Sequence, residues 1–119
     1  AILSEIAGLL QMLITDGHSG SVDLLGLPLS ASCLAALEQR LGKGEITAIL
    51  TAAGKSEFRE TSFAGIWWSS HADETGRVAA MLIEVALVPQ ILLADLDDMR
   101  SGHQRLLEAT NFSRQRKSA

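Results

Sequence analysis

A single cysteine, Cys33, leaves the chain without an intramolecular disulfide or a cysteine-rich metal knot, so packing has to hold the fold, as in a reducing cytosol. No apolar run is long enough for a bilayer. The longest, Val78 to Ala94, is interrupted by Glu84, Pro89 and Gln90, where a span needs roughly 20 predominantly apolar residues. Basic residues are the minority, 10 against 14 acidic, which disfavours a nucleic-acid binder that tracks phosphates; only Arg114, Arg116 and Lys117 cluster positive charge. With 2 prolines, 20% charged and 47% hydrophobic residues, the 119-residue chain lies outside the disordered class and suits one domain. The opening Ala1-Ile2-Leu3-Ser4-Glu5 has neither an initiator methionine nor the basic region of a signal peptide. Residues 1–119 are therefore expected to form a single domain taken from a longer protein, with 113–119 a frayed tail.

Catalytic fingerprints are missing too. The glycines are scattered as turn residues, with neither a P-loop nor a dinucleotide-binding spacing, so no cofactor is expected. His18 adjoins Ser19, but no nucleophile elbow surrounds them. His18, His71 and His103 lack metal-ligand spacing.

What is present is periodicity. Ile2, Ile6, Leu9, Leu10, Leu13 and Ile14 fall on one side of a helix that ends near Asp16-Gly17. Glycine-rich 17–28 reads as a loop. Ser30 caps a second helix, Leu29 and Leu34 staple its start, Leu34, Leu37 and Leu41 supply its buried stripe, and Gly42 ends it. Period two then predicts strands over about 45–52, 56–63, 66–71 and 77–87, separated by turn signals at Ala53-Gly54-Lys55, Gly65 and Asp73-Glu74-Thr75-Gly76. Leu96, Met99, His103, Leu106 and Leu107 return to helical spacing over about 96–109, with Asp95 as the cap and Asp97 and Asp98 in the first turn. The fold class is thus α+β: two N-terminal helices, a four-stranded antiparallel meander and a C-terminal helix.

The last strand is apolar on both sides, with Met81, Ile83 and Val85 expected to face the helices and Leu82 and Glu84 to face away. Its second face would then be covered by another element or another chain, and a homodimer is the simplest closure. Trp67 and Trp68, as strand neighbours, point to opposite faces. One packs beneath the helices; the other, beside Leu82, either anchors a partner or is covered by the chain itself. Glu60 and Glu84 occupy matching polar positions, suited to an acid/base pair across the sheet or to ion pairs with Arg59 or Arg77. Cys33 sits where a helix start favours a thiolate, yet beside the leucine stripe it reads as a small buried hydrophobe, and packing is the preferred reading.

The segments Leu41-Gly42-Lys43-Gly44-Glu45-Ile46, Arg59-Glu60-Thr61, Gly65-Ile66-Trp67 and Ile83-Glu84-Val85 followed by Pro89 together resemble the C-terminal region of HupH/HyaF-type hydrogenase expression proteins over about residues 28–93. Trp68 departs from that pattern, standing where a polar or basic residue is expected. The resemblance implies a cytoplasmic, non-enzymatic accessory protein for uptake nickel–iron hydrogenases. Its partner would be the immature iron–sulfur small subunit, or the twin-arginine signal segment that brings adjacent arginines followed by an apolar stretch. Candidate partner-binding residues are Trp67, Trp68, Leu82, Glu60, Glu84, Asp95, Asp97 and Asp98. The alternative from a different class is a small enzyme or metal-handling domain using Glu60, Glu84 and a histidine.

Overall fold

Gly17 closes the first helix, α1 (Ile2–Asp16), because it adopts the left-handed conformation, φ 73°, that returns its N–H to the Leu13 carbonyl. The computed structural model describes the backbone of residues 1–118 and the side chains of residues 1–111. A short strand, β1 (Gly20–Asp23), follows within the segment expected to be a loop. The second helix, α2 (Ala31–Leu41), starts as its cap dictates: the Cys33 N–H donates to Ser30 Oγ at 3.2 Å. Then come β2 (Thr47–Thr51), β3 (Lys55–Glu60), β4 (Ile66–Ala72) and β5 (Val78–Val85), a 3-10 turn (Gln90–Leu92) and α3 (Leu96–Ser118).

The strands form one antiparallel sheet in the order β1-β5-β4-β3-β2. The expected meander is its four-stranded part, and β1 is a fifth strand added alongside β5 at the edge. The element order is thereby corrected to helix, strand, helix, four strands, helix. At the β2–β3 turn Gly54 is required. Its φ is +127°, and a Cβ there would run into the Ala72 carbonyl oxygen. In the β4–β5 turn Asp73 receives bonds from the Thr75 hydroxyl and from the N–H groups of Thr75 and Arg77, which hold its carboxyl below the usual range.

Register follows the alternation of side chains. Val22, Ile66, Trp68, Ile83 and Val85 face the helices and pack with Ile6, Leu37 and Leu41, and Met81 packs partly buried against them. Glu84, Trp67 and Glu60 occupy one row of the opposite face, with Leu82, Ser69 and Phe58 in the next. Both tryptophans are buried, 4% and 5% exposed, so neither is an exposed anchor. Phe58 and Ser69 are fully buried on the second face, which therefore is not the broad apolar patch expected from β5 alone.

The segments that carry the family resemblance meet at one end of this sheet. Ser62 donates its N–H (2.9 Å) and its hydroxyl (2.6 Å) to the Leu41 carbonyl, and the Gly44 N–H donates to Glu60 at 2.7 Å. Buried Thr61 lies within donating distance of the Ile66 carbonyl (2.9 Å) and the Phe63 carbonyl (3.2 Å), while its oxygen accepts from the Phe63 N–H. These bonds fasten the end of α2 to the β3–β4 turn. Thr61→Val keeps the shape and removes the hydroxyl, so it is expected to lower stability by about 1–3 kcal/mol in urea denaturation, since the carbonyls and the Phe63 N–H lose a buried partner.

The third helix extends well beyond the expected Ala109, its polar second half continuing to Ser118. Asp95 caps it, accepting from the Asp98 N–H at 3.2 Å, and Asp97 pairs with Arg100 at 3.5 Å. The expected fraying of 113–119 concerns side chains, and in Ala119 a whole residue, outside those described. Among the described residues no helix is long and apolar enough to cross a membrane.

Candidate functional site

Among the described residues β1 has a strand partner on one side only, so it presents a free edge. The Leu24 N–H bonds to the Met81 carbonyl at 2.9 Å, and Val22 and Gly20 lie opposite Ile83 and Val85. In an antiparallel ladder paired groups recur at every second residue, so the backbone N–H and C=O of Ser21 and Asp23 turn outward.

An open groove of about 660 Å3 begins where this edge begins. The end of α1 supplies Leu13 and Gly17, the start of β1 supplies Ser19 to Ser21, and β5 with the segment after it supplies Glu84, Leu87, Val88, Pro89, Gln90 and Leu93. Leu87 is 82% exposed, Leu93 57% and Val88 41%, an apolar wall left open by the described residues. A second depression shares Gln90 and Leu93 with the first and adds Asp95, Asp98, Leu96 and Met99. The two adjoin at Gln90 and Leu93, the first walled by apolar side chains and the second carrying two carboxylates.

Glu84 is the charged group of the apolar groove. One of its carboxylate oxygens is buried without a hydrogen-bond partner, as is the Ser69 hydroxyl. Burial raises the Glu84 pKa above its ordinary 4.5, and the nearby His71 ring and Ser69 hydroxyl, the latter outside hydrogen-bonding geometry, offset this only in part. His71 itself is held by Ser56, Nδ1 to Oγ 2.8 Å, and packs edge-to-face with Phe58, the ring centroids 5.4 Å apart. Because the folded chain holds this proton more tightly than the unfolded one, stability should fall as pH rises from the ordinary carboxylate value through the raised one. Glu84→Gln is expected to flatten that fall, read from urea midpoints across an acid-to-neutral pH series; an unchanged slope in the variant would assign the titration elsewhere.

The remaining sequence candidates separate. Glu60 and Glu84 lie on β3 and β5 with Trp67 of β4 between them, two strand spacings or roughly 9–10 Å apart at the backbone rather than side by side on neighbouring strands. Neither carboxylate pairs with Arg59, which reaches Glu38 and Glu57, both at 3.4 Å. The Trp67 indole is turned to the Ala86 carbonyl, donating at 3.2 Å, and Leu82 is half-buried. Cys33 is exposed rather than packed, since one residue before Leu34 rotates it 100° away from the leucine stripe. Among the described residues no cluster of three or more His, Cys, Asp and Glu side chains is placed to hold a metal. Leu13, Ser21, Leu87, Val88 and Leu93 are site residues that sequence reasoning missed; for Leu87, Val88 and Leu93 the signal is the apolar run that continues past the end of β5, and for Leu13 and Ser21 there is none that points to a site.

Over residues 1–112 the chain matches the family described as HupH hydrogenase expression protein, C-terminal conserved region. It is 30% identical over 87 residues to the hydrogenase expression/formation protein HupQ of Azotobacter chroococcum mcd 1, and 30% identical over 88 residues to HoxQ of Azotobacter vinelandii. Those alignments cover 73% and 74% of this chain but 31% of each relative, so the chain spans about a third of their length. The solved structure of hydrogenase expression protein HupH from Thiobacillus denitrificans ATCC 25259 is similar with a TM-score of 0.89 and 34% identity, covering 92% of both chains, a share that reaches into α3.

Proposed function

Because the chain belongs to the family of HupH hydrogenase expression proteins, carrying its C-terminal conserved region, we propose that it is a non-enzymatic assembly chaperone that holds an extended segment of an immature hydrogenase iron–sulfur small subunit. The observation that carries this reading is the free edge of β1 beside an open cleft. An extended peptide can add a strand to such an edge, its backbone bonding to Ser21 and Asp23 and its apolar side chains resting on Leu87, Val88 and Leu93. The adjoining depression, with Asp95 and Asp98, suits a cationic stretch at one end of that peptide. Adjacent basic residues followed by an apolar run, the pattern of a twin-arginine export signal, match this polarity.

The apolar contacts supply most of the lasting affinity, since exposed ion pairs contribute only about 0–1 kcal/mol each, and the acids steer encounter. In this reading Leu87, Val88 and Leu93 take the role that an exposed tryptophan was expected to play. The chaperone acts in the cytoplasm, where the signal segment awaits export.

The test is a salt titration of binding to the small subunit with and without its signal segment. The intact subunit is expected to bind with an affinity that falls as salt rises, and deleting the segment is expected to weaken binding and flatten that dependence. If deletion changes neither, the signal is not the ligand, and a surface on the folded subunit takes its place.

A further inference from the structure

Among the described residues Glu84 carries a charge without a counterion. The ion pairs there are those of Arg59 with Glu38 and Glu57 and of Arg100 with Asp97, so no basic side chain meets it. Glu84 is half-buried, one of its oxygens is enclosed without a hydrogen-bond donor, and it lines the groove beside Ser21. The nearby His71 ring is turned to Ser56 through Nδ1. A buried acceptor left unpaired forfeits its hydration, so native structures supply it with a donor. Asp23, the other carboxylate at this edge, is already engaged: its Oδ1 accepts from the N–H groups of Leu25 and Gly26 and serves its own turn.

Register shows where a donor can enter. Ser21 stands directly opposite Glu84, so their side chains share a face, and Ser21 continues the row of Glu60, Trp67 and Glu84 out to the free edge. Buried Trp67 closes the row on the inner side of Glu84, which leaves the edge as the open side. A strand added antiparallel there exchanges backbone bonds with Ser21, and its residue opposite Ser21 extends the same row. Between that added backbone and the backbone of Glu84 lie two strand spacings, roughly 9–10 Å. Ser21 is small and exposed, so the path across it is clear. A lysine or arginine side chain extended over Ser21 closes the gap with the glutamate; a short polar side chain falls short.

We infer that the strand taken up by β1 carries a basic residue opposite Ser21 whose side chain crosses Ser21 and pairs with the Glu84 carboxylate. Resting on strand addition at β1, this contact adds a rule of selection to it. Apolar contacts hold the segment, and one partly buried ion pair fixes its register. A slip by one residue would turn the basic side chain to the other face and leave Glu84 unmatched.

Fluorescence anisotropy with two labelled peptides tests it: a Val/Ser peptide with one central arginine, and the same peptide with citrulline, the uncharged isostere, in that place. The wild-type chain is expected to bind the arginine peptide at least about tenfold more tightly, and Glu84→Gln to bind the two alike. The substitution keeps the shape of the side chain, and circular dichroism checks that the sheet is intact. Carbon NMR of the Glu84 carboxyl in the wild-type chain needs no variant. The arginine peptide should lower its pKa and the citrulline peptide should not, because the added cation opposes the burial that raises it, while His71 and Ser69, which already lower it, are common to both complexes. Equal affinities with no carboxyl shift, while both peptides protect the Ser21 amide from exchange, would overturn the pairing and leave strand addition standing. An arginine preference that persists in Glu84→Gln would overturn it too, giving the charge to Asp95 and Asp98. Failure of both peptides to protect the Ser21 amide would remove strand addition itself, and this contact with it.

Discussion

Phe58→Ala is expected to destabilise the chain by about 3–5 kcal/mol, a large part of the roughly 5–15 kcal/mol that holds a domain of this size. Phe58 has no exposed surface, lies opposite Ala48 on β2 and Ser69 on β4, and meets His71 edge-on. Truncating it opens a cavity in the second face of the sheet, between strands whose backbone pairing prevents collapse. Urea denaturation followed by circular dichroism measures the loss. Phe63→Ala is the control, because Phe63 is 49% exposed and its removal should shift the midpoint far less. Equal effects at the two positions would mean that the second face carries none of the packing ascribed to it.

Ser21→Pro should produce the largest functional loss. The outward N–H of Ser21 serves no ladder bond within the chain, so proline at this edge removes a donor the fold does not use. Gly20 before it is already in a strand, the conformation that a following proline favours. Stability is expected to stay within about 1 kcal/mol of wild type, while affinity for an extended peptide falls at least about tenfold, the equivalent of one or two lost backbone hydrogen bonds. Fluorescence anisotropy of a labelled signal-segment peptide gives the affinity, and a urea midpoint gives the stability. Retained affinity in a stable variant would remove strand addition from the account and leave the apolar wall alone to hold the ligand.

Where local chemistry decides the structure, the sequence could be read directly. Gly17 and Ser30 marked helix boundaries because each performs its task within one turn of its own position. The facing of Met81, Ile83 and Glu84 followed from alternation alone, as did the opposition of Trp67 and Trp68. Strand β1 escaped because four residues with one buried apolar side chain, Val22, carry too little period, and its existence rests on β5 some sixty residues away in the chain. The burial of Trp67 and Phe58 on the second face is also non-local. Alternation reveals which way a side chain points and says nothing of how closely its neighbours shield it. Cys33 was misplaced by one helical step, because proximity in sequence to the leucine stripe is not proximity in angle. The cleft was hardest to see. It joins the end of α1, the edge of β1 and the run after β5, and only tertiary pairing brings those three segments together.

Hydrogen exchange resolved to single amides tests the central claim most directly. Without ligand, the Ser21 and Asp23 amides should exchange quickly, being turned to the free edge, while those of Val22 and Leu24 are protected by β5. Adding a peptide with adjacent arginines followed by an apolar stretch should slow exchange at Ser21 and Asp23 at least about tenfold, as a new strand takes up their N–H groups. Saturable binding that leaves both amides at their free rates, with protection confined to α3 or to the sheet face around Leu82, would contradict the account.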